Sequence, residues 1–186
     1  MKIGQNWRYL QWGAPLIPAT LSKKTGNRLL KRSLVGRYIQ SLRLNFDMVF
    51  KQMVMKDSRV VEDADRDQLI DEILRTGVRH NLVTHGTYRM KQTGLHLHGS
   101  GKLDDRIVTL TGSMGTLIGS IDDEGRLAPS DGQFNLGYAI GQTFSAKDGI
   151  YQCMNGEMFR LPEDWWLHTE EGIEYVKNGV ERRIVL

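Results

Sequence analysis

The chain has 186 residues, of which 40% are hydrophobic and 25% charged, with a formal net charge of +3; that size supports one domain with a substantial core and is short for two. No run approaches the roughly 20 apolar residues that cross a bilayer, and the amino terminus lacks the regions of a secretory signal. Cys153 is the single cysteine, which excludes an intrachain disulfide and makes the cytoplasm the expected location.

The first segment is basic: Lys23, Lys24, Arg28, Lys31, Arg32, Arg37 and Arg43 have no acid among them. Aromatics do not interleave with them at regular spacing, and no RRM, KH or zinc-finger pattern follows, so a solvated face is expected rather than a nucleic-acid site. Residues 47–55 are apolar and read as a strand. Asp63 is expected to cap a helix over residues 65–75, where Leu69, Ile70, Ile73 and Leu74 recur at helical spacing and Gly77 supplies the stop. Residues 81–83 read as a short strand, 89–97 as a weaker helix ending near Gly99, and 106–110 as a strand. A long polar loop over residues 111–129, rich in glycine and acids, is expected to act as a lid. Ser130 or Asp131 caps a further helix to about Phe144, and residues 149–154 form another strand.

This alternation predicts an α/β fold with a doubly wound, mostly parallel sheet, Rossmann-like or flavodoxin-like, in a single domain over residues 1–186. The tail, residues 159–186, departs from it. Trp165 and Trp166 follow Pro162 and read as core or interface anchors. Asn178-Gly179, between Tyr175-Val176 and residues 183–185, predicts a hairpin, expected at an edge of the sheet.

The most informative run is Leu82-Val83-Thr84-His85-Gly86-Thr87-Tyr88-Arg89-Met90. It reads as an apolar strand breaking into a hydroxyl- and glycine-rich turn before a helix. In open α/β sheets ligands bind in the crevice outside such strand ends. Thr87 is either a helix N-cap or a nucleophile beside backbone N–H groups that can hold a developing anion. His85 reads as a polar residue fixing the loop. His80, His85, His96 and His98 show neither a cysteine pair nor His-Glu-x-x-His spacing, so no metal is expected. Gly112, Gly115 and Gly119 match no phosphate-loop pattern, and no cofactor is expected.

The same run resembles the T-H-G-T-D-T-M motif of the L-asparaginase family. Three further regions are similar to that family in order and spacing. The first is Lys56-Asp57-Ser58 ahead of Asp63-Ala64-Asp65. The second is Val108-Thr109-Leu110-Thr111-Gly112-Ser113-Met114. The third joins Ser130-Asp131-Gly132-Gln133-Phe134-Asn135-Leu136-Gly137 to Gly149-Ile150-Tyr151-Gln152-Cys153-Met154-Asn155-Gly156. The resemblance covers about residues 53–158 and only the amino-terminal domain of full-length members. It implies hydrolysis of the side-chain amide of asparagine or a related amide, in a homo-oligomer without cofactor. Thr87 and Tyr88 take the catalytic roles, and Ser58, Thr84, His85, Gly86 and Ser113 bind the amino-acid substrate.

Two departures qualify that implication. Tyr88 stands where the family has an acid, and the family's relay lysine has no clear counterpart, Lys147 lying close to its place. The family's first motif, T-G-G-T-I, is replaced by Gln11-Trp12-Gly13-Ala14-Pro15-Leu16-Ile17; Pro15 has neither hydroxyl nor N–H. Weak or absent turnover is therefore expected. A non-catalytic module binding an amino acid or carboxylate, and an impaired gene product, are the alternatives. Segment 1–44 is accounted for either by genuine divergence or by a change of reading frame. Starting each codon of residues 9–21 on the third base forces glycine at Trp12-Gly13 and permits Gly-Thr-Ile-Asp-Ser-Ser-Tyr-Phe after it. On the frame hypothesis, sequencing the DNA that encodes residues 9–21 reads Gly-Gly-Thr-Ile-Asp in that frame; a nonsense reading there makes Pro15 a genuine substitution.

Overall fold

The computed structural model describes residues 7–11, 35–53, 56–115, 120–121, 127–128 and 130–185. The altered first motif and most of the basic cluster lie outside the described residues.

Six strands form the main sheet. In chain order they are β1 (Trp7–Gln11), β2 (Met48–Gln52), β3 (His80–Thr84), β4 (Ile107–Thr111), β7 (Gly149–Met154) and β8 (Glu157–Arg160). Their spatial order is β2-β1-β3-β4-β7-β8, parallel throughout except for β8. The fold is thus the expected α/β arrangement, with the strand order of a doubly wound sheet whose chain reverses direction across it between β1 and β3. The register aligns Gln11, Thr84 and Thr111, so three strands end level at that point.

Helix α1 (Val35–Ser41) and helix α4 (Gly132–Ser145) cover one face, where Val35, Ile39, Leu82, Leu136, Ala139, Ile140 and Cys153 pack together. Helices α2 (Asp63–Thr76) and α3 (Met90–Gly99) cover the other, around Leu69, Ile73, Val83, Met90, Val108, Leu110 and Ile150. Leu82 and Val83 fall on opposite faces because successive side chains of a strand alternate. The central strands β3 and β4 are buried along their whole length, so their polar residues need partners. Thr111 Oγ1 donates to the Cys153 carbonyl at 2.8 Å, and Thr143 and Thr109 hydroxyls meet at 2.9 Å. Burial also pushes the Cys153 thiol up to about 12, which leaves it a packing residue.

Several sequence expectations shift. Glu62, not Asp63, precedes the first turn of α2; the Asp65 carboxylate accepts the Glu62 N–H at 2.8 Å, making a capping box with Asp63 inside the helix. Gly77 ends α2 in the left-handed region, as expected. Asp131 occupies the N-cap of α4, but its carboxylate does not cap; it turns toward Ser113 and Met114. The expected loop contains a short antiparallel pair, β5 (Ser120–Ile121) with β6 (Leu127–Ala128), and most of the remainder of the expected lid lies outside the described residues. Strands β1 and β8 and helix α1 have no counterpart in the sequence reading.

The tail hairpin exists, but not at the edge of the main sheet. It belongs to a separate antiparallel sheet of β9 (Trp165–Thr169), β10 (Gly172–Lys177) and β11 (Val180–Val185). Asn178 and Gly179 both have positive φ, the signature of a tight hairpin turn. Trp166 and Ile173 carry this sheet onto the α2/α3 face and join its core. Trp165 stays half-buried under the Lys91 ammonium, 3.1 Å from its ring centroid.

Candidate active site

The turn after β3 sits at the reversal point of the sheet. The His85 N–H extends the β3 ladder by donating to the Thr111 carbonyl at 2.8 Å. The His85 ring then turns inward and is 2% exposed as a residue. Its Nδ1 faces the Gly86 carbonyl, which can only accept, so Nδ1 carries the proton and Nε2 accepts from Thr93 Oγ1 at 3.0 Å. Thr93 Oγ1 in turn accepts from Arg66 Nε at 3.2 Å. This relay from α2 through α3 fixes the loop. Burial, with help from the Arg66 guanidinium and against the Gly86 carbonyl, lowers the His85 pKa to about 4. The shift favours the neutral ring, and its buried hydrogen bonds hold the loop.

Close approach of backbones brings the other residues in. A Cβ on Gly86 would lie 2.5 Å from Ser58 Oγ and 2.6 Å from Ser58 Cβ. A Cβ on Gly112 would overlap the His85 carbonyl and crowd Met90 Cε, with Thr87 Cγ2 at 3.5 Å. Glycine at both places lets the turn carrying Ser58, the Thr87 turn and the end of β4 converge. Ser58 opens a 3-10 turn (Ser58–Val60) whose N-cap Asp57 accepts the Arg59 N–H at 2.8 Å. Thr84 is buried at the end of β3, on the Leu82 face by alternation. The Ser113 hydroxyl is held by Asp131 Oδ1 at 2.8 Å, and Asn135 Nδ2 binds both Asp131 and the Gly112 carbonyl. Ser113 thus points to the start of α4.

Thr87 opens the 3-10 turn Thr87–Arg89 that runs into α3. Its hydroxyl lies 2.8 Å from Nδ1 of His168, on β9, 81 residues away in sequence. The His168 ring stacks on Tyr88 with centroids 4.1 Å apart, and the Arg59 guanidinium carbon lies 4.0 Å from the Tyr88 centroid. His168 lies within hydrogen-bond distance of Thr87, and Tyr88, the proton relay that the resemblance implies, stacks on its ring. Burial first, then the nearby Arg59 charge, holds His168 below the ordinary histidine value. Sequence reasoning overlooked His168 because β9 was not foreseen. The available signal was period-2 alternation after Pro162, which puts His168 on the same strand face as the buried Trp166.

His80 begins β3 and His96 pairs with Asp67 at 2.8 Å, far from one another in role. No three His, Cys, Asp or Glu side chains converge to hold a metal among the described residues. Two surface depressions, about 330 Å³ beside Lys51, Gln68 and Glu72 and about 360 Å³ beside His98, Asp104 and Arg160, include none of the site residues.

The arrangement defines an open, doubly wound α/β domain with a hydroxyl-lined turn at the reversal point of its sheet. Solved structures similar to this one include three L-asparaginases. The thermostable L-asparaginase from Thermococcus kodakarensis superposes with a TM-score of 0.68 at 18% identity, over 97% of this chain and 56% of that one. L-asparaginase I from Vibrio cholerae gives 0.64 at 18% identity, over 93% and 50%. The probable cytoplasmic L-asparaginase from Campylobacter jejuni gives 0.62 at 19% identity, over 97% and 57%. The fold is therefore asparaginase-like, and this chain spans about half the length of those proteins. No protein-family model and no curated protein matches the sequence.

Two outcomes test the geometry. Gly86→Ala is expected to destabilise the fold by about 1–3 kcal/mol through overpacking against Ser58, and Ser58→Gly in the same chain to recover most of that loss, read as coupling in urea unfolding. For His85, the unfolded chain binds a proton near the ordinary 6.5 while the folded ring resists until about 4. Stability is then full above 6.5 and declines as pH falls toward 4, by on the order of 3 kcal/mol. His85→Asn should lack this component; parallel stability–pH curves for the two proteins would refute it.

Proposed function

We propose that this chain is an asparaginase-like amidohydrolase domain acting on the side-chain amide of asparagine or a related small amino-acid amide, with weak turnover of its own. The observation that carries the reading is the Thr87 hydroxyl, at the reversal point of the sheet and 2.8 Å from a neutral imidazole. Amide hydrolysis needs a nucleophile, a proton acceptor and donors for the oxyanion. Thr87 supplies the first, and N–H groups at the start of its helical turn suit the last because a helix start leaves them without intrahelical partners. Ser58 and the turn 84–88 form the substrate crevice, with Gly86 and Gly112 giving close backbone approach. Ser113 shapes it through Asp131. Turnover is weak because no carboxylate occupies position 88 and Pro15 stands in the first motif. We place the protein in the cytoplasm as a homo-oligomer, needing neither cofactor nor metal. Among the described residues no helix is long and apolar enough to cross a membrane.

A second reading, a module that binds an amino acid or carboxylate without turnover, draws support from Arg59. Its partly exposed guanidinium sits over Tyr88 and pairs with Asp57 at 3.2 Å, and a ligand carboxylate would compete with that exposed pair.

Ammonia release from asparagine and from glutamine tests the reading. Release slower than about 1 per second is expected, abolished in Thr87→Ala. Release at full rate in Thr87→Ala would remove Thr87 from the chemistry. Calorimetric binding of aspartate with no ammonia from either amide would favour the binding module.

A further inference from the structure

We propose that His168, delivered by the tail sheet, is the general base for Thr87 and takes the place of the proton acceptor expected from Tyr88; this rests on the amidohydrolase reading of the crevice. The geometry is built rather than incidental. Gln152, fully buried on β7, accepts the Trp166 N–H at 2.9 Å and donates to the Trp166 carbonyl at 3.0 Å. That pair fixes β9 against the main sheet two residues before His168. Trp166 and His168 share a face of β9, so the anchor that buries the tryptophan also aims the imidazole. Tyr88 stacks on the ring and sets its plane. Tyr88 is thereby a positioning residue.

With Nδ1 accepting from the Thr87 hydroxyl, the imidazole proton resides on Nε2. The Thr87 oxygen bonds to the amide carbon as its proton passes to Nδ1 and the carbonyl electrons move onto oxygen. When they return, the carbon–nitrogen bond breaks and the Nδ1 proton leaves with ammonia. Water then attacks the resulting ester, giving a proton to Nδ1, and that proton returns to Thr87 as the carbon–Oγ1 bond breaks. The sum is amide plus water to carboxylic acid plus ammonia.

The charged and titratable groups around His168 favour the free base. Arg59 and Tyr88 face it from the 3-10 turns; Lys91 of α3 is committed to Trp165. On β10 its partner is Ile173, with Glu174 opposite Leu167. Burial and Arg59 both disfavour the imidazolium, so reactivity of Thr87 is expected to be level above about pH 6.5 and to fall on the acid side.

The test is acetylation of the full chain by p-nitrophenyl acetate, followed by intact mass and peptide mapping across pH 4–9. The wild type is expected to acetylate at Thr87 with that acid-limb profile. His168→Asn keeps a hydrogen-bonding group near Nδ1 but cannot take a proton, and should slow labelling about 100- to 10,000-fold. Added imidazole should restore part of it in His168→Ala. Equal rate and profile in His168→Asn would overturn the base assignment while leaving Thr87 as nucleophile. No label at Thr87 in the wild type would overturn the amidohydrolase reading and the base assignment together. Matched urea midpoints of the His168 variants and wild type tie the rates to chemistry rather than folding.

Discussion

Gln152 is fully buried in the middle of a strand, where its amide needs both an acceptor and a donor, and a backbone running alongside supplies the two together. Trp166 does so. Because an unsatisfied buried polar group costs about 1–3 kcal/mol, this pair selects one path for the chain after Pro162. The tail then lies on the α2/α3 face, Trp166 and Ile173 complete the core there, and β9 reaches the turn after β3. The three tail strands make their own sheet, and the Gln152 pair fixes where that sheet sits on the main one.

The second constraint is the level ending of β1, β3 and β4. A parallel sheet buried on both faces fixes its register through packing, and here the register sets Gln11, Thr84 and Thr111 side by side. The turns leaving β3 and β4 must then share a small space. Gly86 and Gly112 resolve the crowding, since a side chain at either would meet Ser58 or the His85 carbonyl. His85 holds the result together from beneath, through Thr93 to Arg66. The convergence of these turns is thus a consequence of strand register, two missing side chains and one inward-facing histidine.

The parts legible in the sequence are those specified locally. Leu69, Ile70 and Ile73 announce α2 by spacing, Gly77 ends it, and Asn178-Gly179 marks its turn. Residues 149–154 read as a strand and are one. Thr87 was legible through its turn. What was not legible depends on contacts distant in sequence. The strand β8 is the exception, since its Asn155-Gly156 turn, with both φ positive, is a local hairpin signal. The separate tail sheet depends on Gln152 and Trp166 meeting across the fold. His168 could be placed on the Trp166 face by alternation, but its neighbour Thr87 lies 81 residues away and no local pattern connects them.

These two kinds of information meet at the chemistry. A carboxylate beside Thr87 would raise the basicity of any imidazole touching it, whereas Tyr88 gives His168 a stacked ring. Arg59 acts in the same sense, holding His168 in its free-base form. A weak base takes a proton reluctantly from a hydroxyl as poorly acidic as threonine, so the barrier to attack stays high even with good geometry. On the amidohydrolase reading proposed for this site, slow turnover is the expected consequence of the same residues that keep Thr87 and His168 aligned.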